Sequence, residues 1–387
     1  MYQASQYNYF VPYRDKIIYY NSLHRSRFAM TMAEHQRIRK LFEDPISFSL
    51  EYPSVFAQFY QWGFFVDAYT NETAIFRYLY NRDVIFSSHY HLVLANTPQH
   101  ELSSAFKVPL VKHIKHMLDS KEIRSLCVEW CGCNILNSFE SFIRPLFIEA
   151  DKICKKSGVE LKGQIEVNLS NNEVVHNKLY HNKGVPTFRQ TLQTIRQIHT
   201  VYSGYRLHLS VNAFPFDVNE KENFMKQLGA DARKRIHWTW IPPEMWQNET
   251  EKSKSATFYR KCFNEGCEEI NPEQTVALLA PRKNAAVIYP DGKVYMSIPP
   301  DFSQENTEAE GTLNETDGSI RWDEAAREKR LSWLWFERPK CVECRHLPLF
   351  AGICPLLSIK IGQICPVENK LIDPEAMIVK EFESKQP

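Results

Sequence analysis

No cysteine occurs between residues 1 and 126 of this 387-residue chain, and the ten that follow are gathered in groups. The first third therefore holds no thiolate ligand and no disulfide. The chain also lacks any run of about 18 apolar residues, which excludes a membrane-spanning helix. It has no excess of either charge. The 47 Lys and Arg against 46 Asp and Glu leave +1, too little for a long-range field toward nucleic acid or an acidic membrane. The opening MYQASQYNYFVPYRDK has neither a basic n-region nor an apolar h-region, so the expectation is a cytoplasmic protein.

What is present is globular in kind. A hydrophobic share of 43% and a charged share of 24%, at a length too great for one ordinary core, predict two or three domains. The 18 Tyr and 24 Phe suit large cores and peptide-contacting surfaces alike. Without an export signal, the clustered cysteines point to metal binding or buried thiols before disulfides.

Three regions follow one another. In residues 1–86, YNYFVPY and KIIYYNS pair as strands across Arg14 and Asp15. TMAEHQRIRKLF is a helix capped by Thr31 with Glu34 three residues on. A second helix in PSVFAQFYQWG closes at Gly63, and FFVDAY returns as a strand, which together describe a small winged-helix-like module. Such a module is either a lid or a surface where a peptide adds a strand to the sheet edge.

From residue 87 to 272, strands HYHLVLAN, SLCVEW, GQIEVNL, RLHLSVNA and RIHWTWIP alternate with helices. In VPLVKHIKHMLDS the apolar positions are Val108, Val111, Ile114 and Leu118, with His113 and His116 on the solvated face; SFIRPLFIEADKICKKSG ends at Gly158. Repeated βα units predict a parallel sheet with outer helices, closed or partly closed as a TIM-like barrel. Residues 273–387 begin with a hairpin at Asp291-Gly292, pass a polar stretch and a second hairpin at Asp317-Gly318, and reach the helix WDEAAREKRLSWLWF before the last cysteines.

Those cysteines, Cys341, Cys344, Cys354 and Cys365, stand as C-x2-C-x9-C-x10-C. The first pair forms a tight knuckle that aims two sulfurs at one ion. Four thiolates suit zinc or an iron–sulfur cluster, and spacing alone does not separate these from buried thiols. His346 reads as a surface residue beside the knuckle.

The run GTLNETDGSIRWDEAAREKRLSWLWFERPKCVECRHLPLFAGICP resembles the SPASM domain of radical S-adenosylmethionine peptide maturases, and RKNAAVIYPDGKVYMS is similar to its earlier hairpin. SLCVEWCGCNIL stands at the glycine-glycine-glutamate strand end of the radical SAM partial barrel, and residues 1–86 resemble the leader-binding module that precedes such barrels. The resemblance implies an α/β fold: a partial barrel over 87–272, a winged-helix-like module over 1–86 and a SPASM-like domain over 273–387.

The departures from that pattern carry most of the functional content. The family places C-x3-C-x2-C after the first barrel strand to hold a [4Fe–4S] cluster that binds S-adenosylmethionine. Here that position reads HLVLANTPQHELSSAFKVPL, with no thiol. Cys133, Asn134 and Ile135 replace the second glycine, glutamate and proline of the cofactor clamp. Ser297 stands for the hairpin cysteine, Phe350 for a middle ligand, and Cys262 and Cys267 come too early to serve. The expectation is no S-adenosylmethionine, no radical chemistry and no catalytic residue. One [4Fe–4S] cluster or zinc remains possible on Cys341, Cys344, Cys354 and Cys365. Cys127 and Cys131 share a strand face about 13 Å apart, too far to replace the missing cluster.

The resulting expectation is a degenerate homologue that binds a precursor leader peptide, or partners an active radical SAM maturase, in maturing a ribosomally made peptide. The alternative is an enzyme of non-radical, metal-dependent or acid–base chemistry in the same barrel, built from His89, His91, His100, His208 and His237. A nucleic-acid reading rests only on HRSR at 24–27 and HQRIRK at 35–40 and is set aside.

Overall fold

The computed structural model describes residues 1–97, 100–120, 122–132, 135–170, 173–179, 181–182, 185–202, 207–214, 223, 226, 237–240, 282–295, 309–331, 337, 339–349, 367 and 373–384. Among these, the chain divides into two compact units. One joins residues 1–82 to the described residues from 337 onward; the other holds most of what lies between.

The first unit begins with β1 (Tyr2–Ala4), β2 (Asn8–Tyr13), β3 (Lys16–Asn21) and β4 (Ser26–Thr31). It continues with α1 (Met32–Glu43), α2 (Pro45–Glu51), α3 (Pro53–Gln61), β5 (Phe65–Asp67) and α4 (Glu72–Tyr80). β2 and β3 pair across Arg14 and Asp15 as expected, with Tyr13 opposite Lys16. The sequence reading missed β4, which runs antiparallel along the whole of β3. β5 pairs with β1 in a separate sheet. At the start of α1, Thr31 Oγ1 accepts from the Glu34 N–H at 3.3 Å and Glu34 Oε2 accepts from the Thr31 N–H at 2.9 Å, the predicted capping box.

Every residue of β3 after Lys16 is buried because both faces of this small sheet are covered. Ile17 and Tyr19 pack with Phe48, Phe56, Phe59, Phe64 and Phe65. Ile18 and Tyr20, with Tyr9 and Val11 of β2, pack on Leu349 and on Ile378 of the helix Pro374–Ser384. Alternation sends successive side chains to opposite faces, and here each face meets an apolar layer.

The second unit holds β6 (His89–Asn96), α5 (Lys107–Asp119), β7 (Ser125–Gly132), α6 (Arg144–Ser157), β8 (Glu160–Ser170) and α7 (Glu173–Leu179). Next come β9 (His181–Asn182), β10 (Val185–Pro186), α8 (Phe188–Tyr202), β11 (Leu207–Phe214) and β12 (His237–Trp240). It ends with β13 (Ala285–Ile288), β14 (Lys293–Tyr295), β15 (Gly311–Leu313), β16 (Ile320–Trp322) and α9 (Glu324–Leu331). One sheet has the order β12-β11-β8-β7-β6-β13-β14-β15-β16. The run from β12 to β13 is parallel and the remainder antiparallel. This is the mixed α/β, mostly parallel arrangement expected from the βα repeats. Both predicted hairpins form, as β13–β14 and β15–β16.

One face of the parallel strands is apolar. Tyr90, Leu92, Leu94, Leu126, Val128, Trp130, Ile165 and Val167 form its core with Leu110 and Ile114 of α5 and Leu146 and Phe147 of α6. The phase of α5 differs from the sequence reading. Val108 is 57% exposed and His113, expected on the solvated face, is 2% exposed. The reason is a polar staple: His113 Nε2 lies 2.7 Å from the Tyr90 hydroxyl, and Nδ1 lies 2.9 Å from the Gly318 carbonyl. Gly318 sits in the β15–β16 turn at φ +75, where an added Cβ would fall 2.4 Å from the Pro109 carbonyl oxygen.

After α9 the chain returns to the first unit, with α10 (Pro339–Val342) and α11 (Pro374–Ser384). No helix among the described residues is long and apolar enough to cross a membrane.

Candidate functional site

The second face of the parallel sheet is where sequence and register place polar chemistry. A parallel sheet covered on both sides reads as continuous apolar runs, yet this face carries charged and nucleophilic residues. Register sets Ala285, His91, Cys127 and Lys162 side by side on β13, β6, β7 and β8. The next row along the strands is Val287, Val93, Glu129, Gln164 and His208.

His91 Nε2 lies 2.8 Å from Glu129 Oε2, with the two residues 4% and 1% exposed. Cys127 also stands within hydrogen-bonding reach of the imidazole. Burial alone would push the His91 proton off. Cys127 and then Glu129, placed beside the ring, outweigh that and raise its pKa to about 10. Among the described residues Glu129 Oε1 is buried with no hydrogen-bond partner, which costs about 1–3 kcal/mol for a group left unsatisfied. The sequence reading named His91 and Cys127 and missed Glu129. The signal was in SLCVEWCG, whose alternation puts Cys127, Glu129 and Cys131 on one face and Leu126, Val128 and Trp130 on the other.

The remaining residues of the sequence reading are dispersed. His89 is exposed and bonds to Ser125. His100 lies in the turn after β6, and the side chains of His208 and His237 lie outside the described part. Cys131 is buried among Val93, Ala95, Val287 and Tyr289, the expected small side chain at a strand end.

At the C-terminal end of β6 and β7 the backbone is tightly closed. Gly132 adopts φ +100, and a Cβ there would lie 2.2 Å from the Asn96 carbonyl oxygen. Asn96 Oδ1 accepts from the Leu102 N–H at 2.8 Å, and Leu102 is buried in the helix-facing core. Thr97 N–H donates to the His100 carbonyl at 2.9 Å, closing the turn. Ile135 is buried in the same core; Cys133 and Asn134 lie outside the described residues. The described donors of this turn are hydroxyl, imidazole and carboxylate groups. They do not fit a cluster that needs three thiolates.

In the first unit, the knuckle Cys341–Cys344 is a turn closed by the Cys344 N–H to the Cys341 carbonyl at 3.1 Å, with both residues half-buried. It is fastened to β2. The Tyr9 hydroxyl lies 3.1 Å from the Arg345 carbonyl and 2.7 Å from His346 Nδ1, and the Arg345 guanidinium sits 4.6 Å over the Tyr9 ring. His346 is therefore half-buried and bonded, not the surface residue that the sequence suggested; burial, then Arg345, lower its pKa. Two thiols on one tight turn suit a shared zinc or cluster iron. Cys354 and Cys365, with Phe350, Ser297, Cys262 and Cys267, lie outside the described residues. Among the described residues no three His, Cys, Asp or Glu are placed to hold a metal. The basic HRSR segment is engaged within the unit, with Arg27 and Arg25 at 3.1 and 3.8 Å from Glu381 of α11.

No protein-family profile matches the chain, and no curated protein matches it. Solved structures resemble it at low identity. SuiB of Streptococcus suis, bound to S-adenosylmethionine, shares 12% identity over 97% of this chain and 98% of its own, with a TM-score of 0.38. The protein anSMEcpe with bound AdoMet and a Cp18Cys peptide shares 11% identity over 76% of this chain and 95% of its own, with a TM-score of 0.36. With AdoMet alone, anSMEcpe gives 12% identity over 76% and 95%, with a TM-score of 0.37.

Proposed function

We propose that this chain is a member of the radical SAM/SPASM peptide-maturase group that has lost radical chemistry. It acts as a cytoplasmic peptide-binding or partner subunit in maturation of a ribosomally made peptide. The observation that carries the first part is the turn after β6. Where the family pattern needs three cysteines, this chain has a thiol-free turn held by Asn96 and plugged by Leu102. Without those thiolates there is no open-site iron to reduce S-adenosylmethionine. In this reading the parallel sheet curves as a partial barrel, residues 1–86 serve as the winged-helix-like module, and the C-terminal region is SPASM-like.

The peptide-binding part is supported by β4. It is a terminal strand of the β2-β3-β4 sheet, while α11 and the α1–α3 cluster pack on the two faces. A terminal strand offers backbone N–H and C=O groups to an extended peptide. Cys341, Cys344, Cys354 and Cys365 would hold a structural zinc or one [4Fe–4S] cluster. Such a metal would supply folding energy, or an electron-relay centre for an active maturase bound as partner.

The test mixes the full chain with a panel of synthetic leader peptides from ribosomally made precursors. Binding with slowed amide exchange across Ser26–Thr31 and no change in peptide mass supports the reading. A mass change in a peptide treated with this protein and S-adenosylmethionine, without a second enzyme, would sink it.

A further inference from the structure

We propose that Cys127, His91 and Glu129 form a nucleophilic site on the polar face of the parallel sheet, one that accepts an acyl group from an ester or thioester. This is an activity separate from peptide docking at β4. Three observations converge. The imidazole is fixed at 2.8 Å from a carboxylate that is 1% exposed, so its orientation and charge are set before any substrate arrives. Cys127 is the direct register neighbour of His91 on the adjacent strand and, unlike its partners, is only half-buried. Among the described residues Glu129 Oε1 remains unpartnered in the interior, a cost that an apolar pair at these positions would not carry.

The arrangement orders a nucleophile, an imidazole and an orienting carboxylate, with roles assigned by geometry and not by chain position. Nε2 faces the carboxylate, leaving Nδ1 as the second nitrogen of the ring for the thiol. On the far side of Cys127 the same row presents Lys162, which is exposed and about 4.8 Å away at the backbone. Its ammonium brings positive charge toward the oxygen of an attacked carbonyl.

The chemistry balances without an oxidant or a metal. His91, held protonated beside Glu129, already carries the proton given up by the Cys127 thiol, and Sγ attacks the carbonyl carbon. The sulfur–carbon bond forms as the bond to the leaving oxygen or sulfur breaks. The departing atom takes that electron pair and receives the proton from His91. A water molecule then attacks the thioester and gives its proton to the now neutral His91; the carbon–sulfur bond breaks with its electron pair going to Sγ, and the starting pair of Cys127 and protonated His91 is restored. Glu129 is a positioning residue that holds the ring and its charge.

The probe is p-nitrophenyl acetate with the intact chain. The expected result is one acetyl group, mapped by peptide mass to Cys127, arriving faster than on the half-buried Cys344 of the same molecule. His91→Gln is expected to slow this acetylation by about 100-fold. Glu129→Gln is expected to move the alkaline limb of the pH–rate profile to lower pH, with Glu129→Asp restoring part of the shift. Acetylation of Cys127 no faster than Cys344 overturns the proposal, and that comparison needs no variant to fold. So does an unchanged rate in folded His91→Gln. No peptide enters these measurements, so their failure is distinct from failure of the peptide-binding reading.

Discussion

The hydroxyl of Tyr9 lies 2.7 Å from Nδ1 of His346, joining the first hairpin to a turn 337 residues further along the chain. The same ring carries the Arg345 guanidinium 4.6 Å from its centroid. One phenol thus holds the knuckle of Cys341 and Cys344 in place, whatever ligand those sulfurs take. Tyr9→Phe keeps the ring and removes the hydroxyl, leaving His346 and the Arg345 carbonyl without it. A loss of about 1–3 kcal/mol is expected, read as a lower Tm and faster amide exchange at 341–347. Unchanged exchange there would show that the turn is fixed by something else.

Acid should loosen the second unit through its buried histidines. Burial, the main cause, lowers His113 to about 4 and His176 to about 4. The unfolded chain binds a proton at each near 6.5, so stability is complete above that pH and is lost as pH falls toward about 4. The His113 contribution is on the order of 3 kcal/mol. Urea midpoints at pH 7 and pH 5 check it. His113→Gln should start lower at pH 7, having lost its fit to Tyr90 and Gly318, and fall less between the two.

His91 has the opposite sign. Its pKa is raised to about 10 because Cys127 and Glu129 outweigh the burial that works against its charge. Its contribution is full below about 6.5 and fades as pH rises through about 10. Alkaline unfolding should come at lower pH in Glu129→Gln than in the parent, measured by fluorescence of the Trp residues.

Gly132→Ala should be among the most damaging single changes. The position needs φ +100, and the new methyl would meet the Asn96 carbonyl oxygen at 2.2 Å. A loss above about 2 kcal/mol is expected, measured by thermal unfolding. Gly158→Ala is the control, since its Cβ meets nothing within 4 Å; it should cost only its own left-handed strain, about 1 kcal/mol.

Metal at the C-terminal cysteines is tested on protein purified without oxygen. Cys341→Ala should lower both metal content and Tm, because ligand loss and folding are linked. Metal content at background in the parent, with a Tm unmoved by the substitution, would leave these thiols as a remnant.

The sequence made the ordinary parts of this fold legible because they are set locally. Thr31 with Glu34, Asp291-Gly292 and Gly158 each act within a few residues, and each is found where the pattern put it. The misses have long-range causes. β4 was hidden because its residues are half-buried polar and apolar alike, and only pairing with β3 makes SRFAMT a strand. His113 looked solvated because its partners, Tyr90 and Gly318, stand 23 and 205 residues away. Glu129 was passed over for the same reason. A carboxylate in a strand reads as outward-facing until the neighbouring strand brings a histidine to meet it.

The first unit draws its core from segments far apart in the chain: Ile18 and Tyr20 of β3 pack against Ile378 of α11. A ribosome making this protein releases β3 long before α11. The β2-β3-β4 sheet therefore waits, with one face uncovered, until α11 has emerged. Its second layer closes only then, so a product truncated before Pro374 would carry an exposed aromatic surface and would be a natural target for chaperones and proteases.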